Sequence, residues 1–387
     1  MARTKQKIKI SDFYHIDEEL IKDIQWIMIY GKRANGKSYA VKKYVLEHAL
    51  DSLINGDNTE KFFYVRRYED DVSAFNVSRY LHDFEYNKKT KKHPLEETTK
   101  GRFNKFKVAK KQIFVMNVDD DGNETDIQPI GYYINIGNAE RMKSTDFTDV
   151  ANIVFEEFIA STKPYLPSEP TKFGSLVSTI ARNDLVKIFM VGNNDNRDCV
   201  YFRYYGLDRV KKQKPGTKDI YEKIEYDEGE PYKVKYLVDF AEGNVKGSKM
   251  FFGMDAKINN TGEWLSETQP KMTQEDLTKY DMVYEIIVEY HDLKYKCEFY
   301  NDPKTGGYFW YVRPKTHPIK KNSRVISDMI SINPSYTATL SPLNKGEARA
   351  FKYLENGKIF FSDDLTGTEF KRAILSFTGT PLAQEYK

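Results

Sequence analysis

A glycine-rich segment near the amino end of the chain has the residue types and spacing of a phosphate-binding loop. The pattern GxxxxGK[ST] is met by Gly31, Lys32, Arg33, Ala34, Asn35, Gly36, Lys37 and Ser38. Such a loop wraps a polyphosphate with backbone N–H groups. We expect Lys37 to neutralise the β- and γ-phosphates and the Ser38 hydroxyl to hold Mg²⁺. The alternative is a glycine turn ahead of an ordinary helix.

Two adjacent carboxylates are the second candidate for chemistry. Glu156 and Glu157 follow an apolar run, and a phosphate-binding loop needs an acidic site at the end of a neighbouring strand. We expect Glu156 to occupy the metal position, directly or through water, and Glu157 to polarise the attacking water. Asp is usual at the first position, so Glu156 departs from the pattern by one methylene. The alternative is a strand that ends in two solvated glutamates.

A third polar pair, Asn193 and Asn194, ends another apolar run. An amide at Asn193 can sense the γ-phosphate or orient water, whereas the alternative is an Asn pair that only forms a turn.

An α/β core with buried parallel strands is predicted to position these side chains. The pattern predicts a strand over 24–30 before the loop, a helix after it and a second strand over 61–67. Compact apolar runs at 152–159 and 187–194 predict buried parallel strands. A periodic apolar face over 168–184 predicts the helix between them.

Two domains are expected. The P-loop domain covers residues 1–210. Residues 211–232 are charged, with Pro and Gly at both ends and little apolar periodicity, which indicates a linker. Residues 233–387 would form a smaller domain, because alternating patterns over 284–314 predict a β-meander and helical patterns follow it.

Composition excludes several classes of protein. The net charge is +3 and the chain contains 2 Cys, in no CxxC pairing, so neither a disulfide framework nor a thiolate metal site is expected. No apolar stretch approaches the length that spans a bilayer, and the amino end lacks an apolar signal region. We therefore expect the protein to lie in a reducing cytoplasm and not to associate with membranes.

Basic side chains are concentrated between residues 86 and 112, where ten Lys and Arg stand against two Glu. They could bind nucleic-acid phosphates in a salt-dependent way. Equally, the segment could be a solvated face, with Phe103, Phe106 and Phe114 as strand core.

Missing motifs narrow the class of P-loop protein. No NKxD pattern lies in the P-loop domain, and there is no LSGGQ-like signature, so a GTPase and a transporter-type ATPase are disfavoured. What remains is the class of ATPases with an additional strand and a catalytic glutamate (ASCE), which commonly form ring motors.

Four segments resemble the DNA-packaging ATPase of small short-tailed bacteriophages with protein-primed genomes. They are GKRANGKSYAVKKYV, FFYVRRYEDDVS, NIVFEEFI and TIARNDLVKIFMVGN. The P-loop alone is generic, but YVRRY followed later by IVFEEFI is more specific. The resemblance covers most of residues 20–200 and continues weakly towards the carboxyl end.

The resemblance implies an ATP- and Mg²⁺-dependent pentameric ring that pumps double-stranded DNA into a preformed capsid. The ring would dock on the viral portal and on a structural RNA, in the host cytoplasm and transiently on the procapsid. Arg182 corresponds to an arginine finger that acts on a neighbouring subunit's ATP, and Lys143 to a second basic position at that interface. Arg66 would couple Glu157 to the nucleotide.

For the carboxyl-terminal domain, the resemblance implies a vestigial RNase H-like nuclease that no longer cuts DNA. Glu289 and Asp292 provide carboxylates there but no dense acidic cluster, and His291 beside Asp292 is expected to be a surface residue.

Two other functions of the whole protein stay open, a nucleotide-switched nucleic-acid-binding protein and a helicase-like ATPase. ATP turnover and strand separation would distinguish them.

Overall fold

A computed structural model describes residues 13–379 and residue 382, with gaps at 89, 143–146, 161–164, 183–184, 195–198, 228–229, 243–268, 291–292, 321, 329–332 and 334. The chain divides into two compact units, Met1–Trp264 and Leu265–Lys387.

The first unit is built on a nine-stranded mixed sheet. Its strands are β1 (Trp26–Gly31), β2 (Lys61–Arg66), β3 (Lys105–Ala109), β4 (Gln112–Val118), β5 (Glu124–Asn135), β6 (Val150–Glu156), β7 (Lys187–Asn193), β8 (Lys218–Asp227) and β9 (Glu230–Phe240). Their order is β3-β4-β5-β2-β6-β7-β1-β9-β8. The central strands from β5 to β9 are parallel, and antiparallel partners flank them at both edges. β7 therefore lies between β1 and β6.

Helices cover both faces of this sheet, which explains why its central strands are almost continuously apolar. They are α1 (Glu18–Ile21), α2 (Lys37–Asn55), α3 (Ala74–Glu85), α4 (Pro94–Thr98), α5 (Glu169–Ile180) and α6 (Val200–Tyr204). Alternate residues of β1 face opposite layers: Ile27 packs with α2 and α3, whereas Met28 packs with α5. The predicted α/β core with parallel strands is thus present, and the structure shows that helices cover both of its faces.

The predicted linker at 211–232 and the boundary at residue 210 differ from the structure. β8 and β9 form an antiparallel hairpin, and β9 pairs in parallel with β1, so the first unit continues well beyond residue 210. β8 is an edge strand whose Ile220 and Ile224 stay exposed among charged neighbours. A charged edge strand has the composition of a linker, because charge on an edge prevents unwanted strand pairing.

An acidic turn at 119–123 joins β4 and β5. These strands belong to the main sheet, since β5 pairs in parallel with β2. The basic segment at 86–112 contains α4 and β3. Its Phe103 is fully buried, and Phe106 packs against the same core, which favours strand core for these two aromatic residues.

The second unit contains a six-stranded sheet with the order β14-β13-β10-β11-β12-β15. Its elements are α7 (Gln274–Leu277), β10 (Asp281–Tyr290), β11 (Leu293–Asn301), β12 (Tyr308–Pro314), β13 (Val325–Ser327), β14 (Tyr336–Thr337), α8 (Lys345–Glu355), β15 (Ile359–Phe361) and α9 (Asp364–Thr378). The predicted meander is present as antiparallel β10, β11 and β12. α8 and α9 pack on the sheet, where Trp310 donates its indole N–H to the Ala350 carbonyl at 2.8 Å.

None of the helices that the structure describes has the length and apolar character needed to cross a membrane.

Candidate functional site

The loop between β1 and α2 depends on its two glycines. Gly31 has φ +154°, and a Cβ there would lie 2.4 Å from the Ala241 carbonyl oxygen, so no side chain fits. Gly36 caps α2 in the left-handed region with φ +95°. Ala34 is also left-handed, at φ 60°. The loop is therefore held in a fixed conformation directly before the helix.

The Lys37 side chain is buried and folds back into this loop. Its Nζ donates to the carbonyl oxygens of Gly31 at 3.0 Å and Lys32 at 2.8 Å. It also donates to Asn35 Oδ1 at 3.0 Å and, more weakly, to Asn193 Oδ1 at 3.5 Å. A cation at the start of a helix, surrounded by neutral acceptors, is suited to a polyphosphate. The ammonium group is thus poised beside the loop that would hold the anion.

Two segments that the sequence analysis missed support the loop. Asn35 Nδ2 donates to the Ala241 carbonyl at 3.1 Å, directly after β9. The Tyr14 N–H donates to the Asn35 carbonyl at 2.8 Å, and the Tyr14 hydroxyl donates to Asp239 at 2.7 Å. No local motif marks these contacts, because the side-chain bonds of Asn35 to Ala241 and of Tyr14 to Asp239 each join residues more than two hundred positions apart.

Ser38 and Glu156 meet at the carboxyl edge of the parallel strands. The Ser38 hydroxyl donates to Glu156 Oε2 at 3.1 Å. The other oxygen, Oε1, is buried and has no hydrogen-bond partner among the described residues. Burial raises the pKa of the Glu156 carboxyl, although Arg66, Ser38 and Lys42 partly offset the effect. Since Mg²⁺ prefers carboxylate and hydroxyl oxygens, Ser38 and the orphaned oxygen of Glu156 fit this ion.

Glu157 turns its carboxylate outwards from the end of β6. Its side chain is 59% exposed and pairs with Arg66, whose Nη2 lies 2.9 Å from Oε2. Glu157 has φ 60°, an uncommon backbone conformation for a glutamate. Arg66 Nε is buried without a hydrogen-bond partner in the described part of the chain. The structure thus brings Arg66 and Glu157 together.

Arg67, which the sequence analysis did not single out, supports the backbone of Glu157. Its guanidinium donates to the carbonyl oxygens of Glu157 at 3.0 Å and Phe158 at 2.8 Å. The same group forms a buried ion pair with Glu169, at the start of α5, with Nε 2.8 Å from Oε2. Successive side chains of a strand point to opposite faces, so the twin arginines of the RRY segment have different partners.

A cleft of about 430 Å³ opens beside the loop. Its lining includes residues from Ala34 to Tyr39, together with Lys42, Asn193 and part of α3. This volume lies within the usual range for small-molecule sites. The loop, Glu156 and Asn193 all lie at the carboxyl ends of neighbouring parallel strands, where α/β sheets usually bind ligands.

One of the predicted basic residues, Arg182, lies apart from this group. Arg182 is exposed on the segment between α5 and the amino end of β7. β7 spans about 20 Å, and the cleft is at its other end, so the chain's own cleft lining does not include Arg182. Lys143 lies outside the described residues.

The basic segment is partly neutralised by acidic neighbours. Four of its side chains form ion pairs: Lys92 with Glu97, Arg102 with Asp126, Lys105 with Glu85, and Lys107 with Glu124. These pairs reduce the charge available for phosphate contacts.

In the second unit, Glu289 is buried and pairs with Lys294 at 2.8 Å. His291 and Asp292, which the sequence analysis also named, lie outside the described residues. Within the part of the chain that the structure describes, no three His, Cys, Asp or Glu side chains are grouped to hold a metal ion.

One solved structure of a phage packaging motor is similar in fold to this chain, and two further structures match it at lower TM-scores. The bacteriophage Phi-29 viral genome packaging motor assembly has 19% identity and a TM-score of 0.50, over 94% of this chain and 100% of that chain. The Phi-28 gp11 DNA packaging motor has 19% identity and a TM-score of 0.45, over 97% and 100% of the two chains. The N-terminal domain of the DNA packaging ATPase from bacteriophage phi29 has 22% identity and a TM-score of 0.42, over 60% and 97%.

No curated protein sequence matches the chain. Its residues 8–228, more than half of its length, match the family described as Podovirus DNA encapsidation protein (Gp16). The chain therefore belongs to the Podovirus DNA encapsidation protein (Gp16) family and takes part in phage DNA packaging.

Proposed function

We propose that this packaging protein is an ATP-driven motor that translocates double-stranded DNA into a preformed capsid. The observation that carries the proposal is the convergence of Lys37, Ser38, Glu156 and Asn193 at one edge of the parallel sheet. The position of β7 between β1 and β6 supports an ATPase of the ASCE type.

In the proposed reaction, Lys37 exchanges its loop carbonyl partners for the β- and γ-phosphates of ATP. Ser38 and Glu156 would hold Mg²⁺, which would neutralise phosphate charge. Glu157 leaves Arg66 and accepts a proton from the attacking water. The water oxygen bonds to the γ-phosphorus while the bond from that phosphorus to the β–γ bridging oxygen breaks, and ADP is the leaving group. Asn193 orients the water or contacts the γ-phosphate.

Arg182 is proposed to act on the ATP of a neighbouring subunit in a homomeric ring, pentameric by the resemblance. Its location near the amino end of β7, away from the chain's own cleft, favours action in trans. Such a cation stabilises charge in the transition state and contributes on the order of 10³ to 10⁵ in rate. Lys143 is proposed to assist at the same interface.

The second unit is proposed to be a vestigial RNase H-like domain that contacts nucleic acid or capsid without cutting DNA. Support comes from the antiparallel strands β10, β11 and β12 with β13 parallel beside β10. Portal and structural RNA are proposed partners of the assembled motor, on the procapsid in the host cytoplasm.

The proposal is tested by ATP hydrolysis with Mg²⁺, with and without duplex DNA, across protein concentration. Hydrolysis that rises steeply with concentration and with DNA is expected, and Lys37→Ala is the inactive control. ATP binding without turnover, also with capsids added, would contradict the motor. Mixing Glu157→Gln with Arg182→Ala tests the action in trans, because each variant is nearly inactive alone and mixed rings should recover partial activity. Failure of all mixtures with assembly intact would exclude it.

A further inference from the structure

α3 forms the wall of the cleft that faces the P-loop helix. Arg79, Tyr80, His82 and Asp83 of α3 line the same cleft as Lys37 and Ser38. No part of the P-loop pattern or of the carboxylate pair requires a contribution from this helix. A polyphosphate in the cleft would face these side chains of α3.

Lys42 fixes this wall to the P-loop helix. It lies one helical turn after Ser38, and its buried Nζ donates to the Tyr80 carbonyl at 2.6 Å and pairs with Asp83. The ammonium also lies 4.7 Å from the centre of the Tyr80 ring. Tyr80 in turn stacks on Tyr64 of β2, with ring centres 4.4 Å apart. α3 is therefore held at a fixed distance from the loop.

Two polar groups of this wall have no partner among the described residues. The Tyr80 hydroxyl is buried and makes no hydrogen bond. Burial, and then the carboxylate of Glu156, raise the pKa of Tyr80 well above its ordinary value. The exposed Arg79 guanidinium forms no hydrogen bond or ion pair within the described part of the chain.

Together with Glu156 Oε1 and Arg66 Nε, the Tyr80 hydroxyl belongs to a set of buried polar atoms that lack partners. Buried polar groups are rarely left unpaired, because each one costs free energy unless a ligand satisfies it. An arginine without a partner beside a phosphate-binding loop is suited to bidentate phosphate contacts.

We propose that α3 is a second phosphate-binding element of the site, in which Arg79 contacts the terminal phosphate of a bound nucleoside triphosphate in cis and the Tyr80 hydroxyl donates to the same end. This inference rests on the proposed function and adds to it a residue of the chain's own α3 that recognises the γ-phosphate. Arg79 would then distinguish the triphosphate from the diphosphate before any neighbouring subunit contributes.

The test measures affinities for ATP and ADP with Mg²⁺ by displacement of a fluorescent ADP analogue from the full chain, in a Glu157→Gln background that prevents turnover. Arg79→Ala should weaken ATP binding roughly 10-fold or more and ADP binding less than about 3-fold, as expected for loss of a charge-assisted contact to the γ-phosphate. Arg79→Lys should retain part of the preference. Tyr80→Phe keeps the ring stack and should weaken ATP binding roughly 3-fold to 10-fold.

Arg372→Ala, on α9 of the second unit, is the matched control, because it removes the same charge from a helix outside the cleft. It should change neither affinity. Equal losses for ATP and ADP in Arg79→Ala, or no loss for either, would overturn the role of α3 while ATP binding and its dependence on Lys37 remain. Absence of ATP binding in the background protein, or binding that Lys37→Ala leaves unchanged, would instead overturn the proposed function and this inference with it.

Discussion

Glu156 in the first unit and Glu298 in the second are equally withdrawn from solvent, with 6% and 4% of their surfaces exposed. Their surroundings differ. Both oxygens of Glu298 are bonded, to Lys296 at 2.6 Å and to Arg313 at 3.2 Å and 3.3 Å. Glu156 has one hydrogen bond, from Ser38, and one orphaned oxygen.

The pKa values of the two carboxyls shift in opposite directions. Burial alone would raise the pKa of Glu298, but its bonds to Arg313 and Lys296 outweigh burial and lower it. Burial raises the pKa of Glu156, and its neighbours do not outweigh it. A paired carboxylate contributes to folding, whereas an orphaned one keeps a cost that a bound cation would remove. Glu298 is therefore a fully paired carboxylate, whereas Glu156 retains an orphaned oxygen at the proposed Mg²⁺ position.

The largest expected difference between the two glutamates is in catalysis. Glu156→Gln should lower ATP hydrolysis about 100-fold or more, because an amide is a poorer Mg²⁺ ligand than a carboxylate. Glu298→Gln should stay within about twofold of the unchanged protein. Rates are measured with saturating Mg²⁺ and duplex DNA, well below the unfolding temperature. Near-normal ATP hydrolysis by Glu156→Gln would contradict the proposed role of Glu156 in holding Mg²⁺.

A substitution of Glu298 is expected to lower the free energy of unfolding of the second unit. Glu298→Ala is expected to destabilise the second unit by about 2 kcal/mol, because it leaves Lys296 and Arg313 without their shared partner. Since the folded pKa is lowered, this stabilisation is present above the ordinary Glu pKa and is lost as pH falls through the folded value. Calorimetric unfolding over a pH series measures it. An unchanged unfolding temperature at neutral pH would show that the paired carboxylate contributes nothing.

The sequence predicted the loop, the carboxylate pair and Asn193 because they are local patterns at the ends of apolar runs. It also predicted the parallel core and the meander, since apolar periodicity reports burial directly. β8 and β9 were misinterpreted because β9 joins the sheet through β1, which lies far away in the sequence, and because the charged residues and the exposed Tyr226 and Tyr232 leave the hairpin little apolar periodicity.

The supporting residues of the site could not be predicted for a related reason. Arg67 carries the same charge as Arg66, and only the strand's alternation decides which one contacts the Glu157 carboxylate. Lys42 and Arg79 look like ordinary exposed helix residues in the sequence. Their roles follow from the position of α3 against α2, which no local pattern encodes.

A smaller effect of opposite sign is expected from the orphaned carboxylate. Without nucleotide, Glu156→Gln should stabilise the first unit at neutral pH by about 1 kcal/mol, since it removes a buried charge of similar shape. Because the folded pKa is raised, the cost to the unchanged protein is absent below the ordinary Glu pKa and grows as pH rises through the folded value. The gain should therefore disappear in acid. If calorimetry showed that Glu156→Gln destabilises the protein at neutral pH, the proposal that Glu156 is a metal ligand with an unsatisfied buried charge would be contradicted.

The smallest effect is expected where a carboxylate is paired but exposed. Asp126 accepts from Arg102 Nε at 2.7 Å and Nη2 at 3.2 Å, with side chains 33% and 41% exposed. Asp126→Asn should change the free energy of unfolding by less than about 0.5 kcal/mol, because solvent screens such pairs. Asn also tolerates the left-handed backbone at this position, where φ is 48°. Any loss should vanish in about 1 M salt. A loss of more than about 1 kcal/mol in the free energy of unfolding that does not depend on salt would show that an ion pair stabilises the fold without burial. The difference between Glu298 and Glu156 could then not be explained by the pairing of a buried carboxylate.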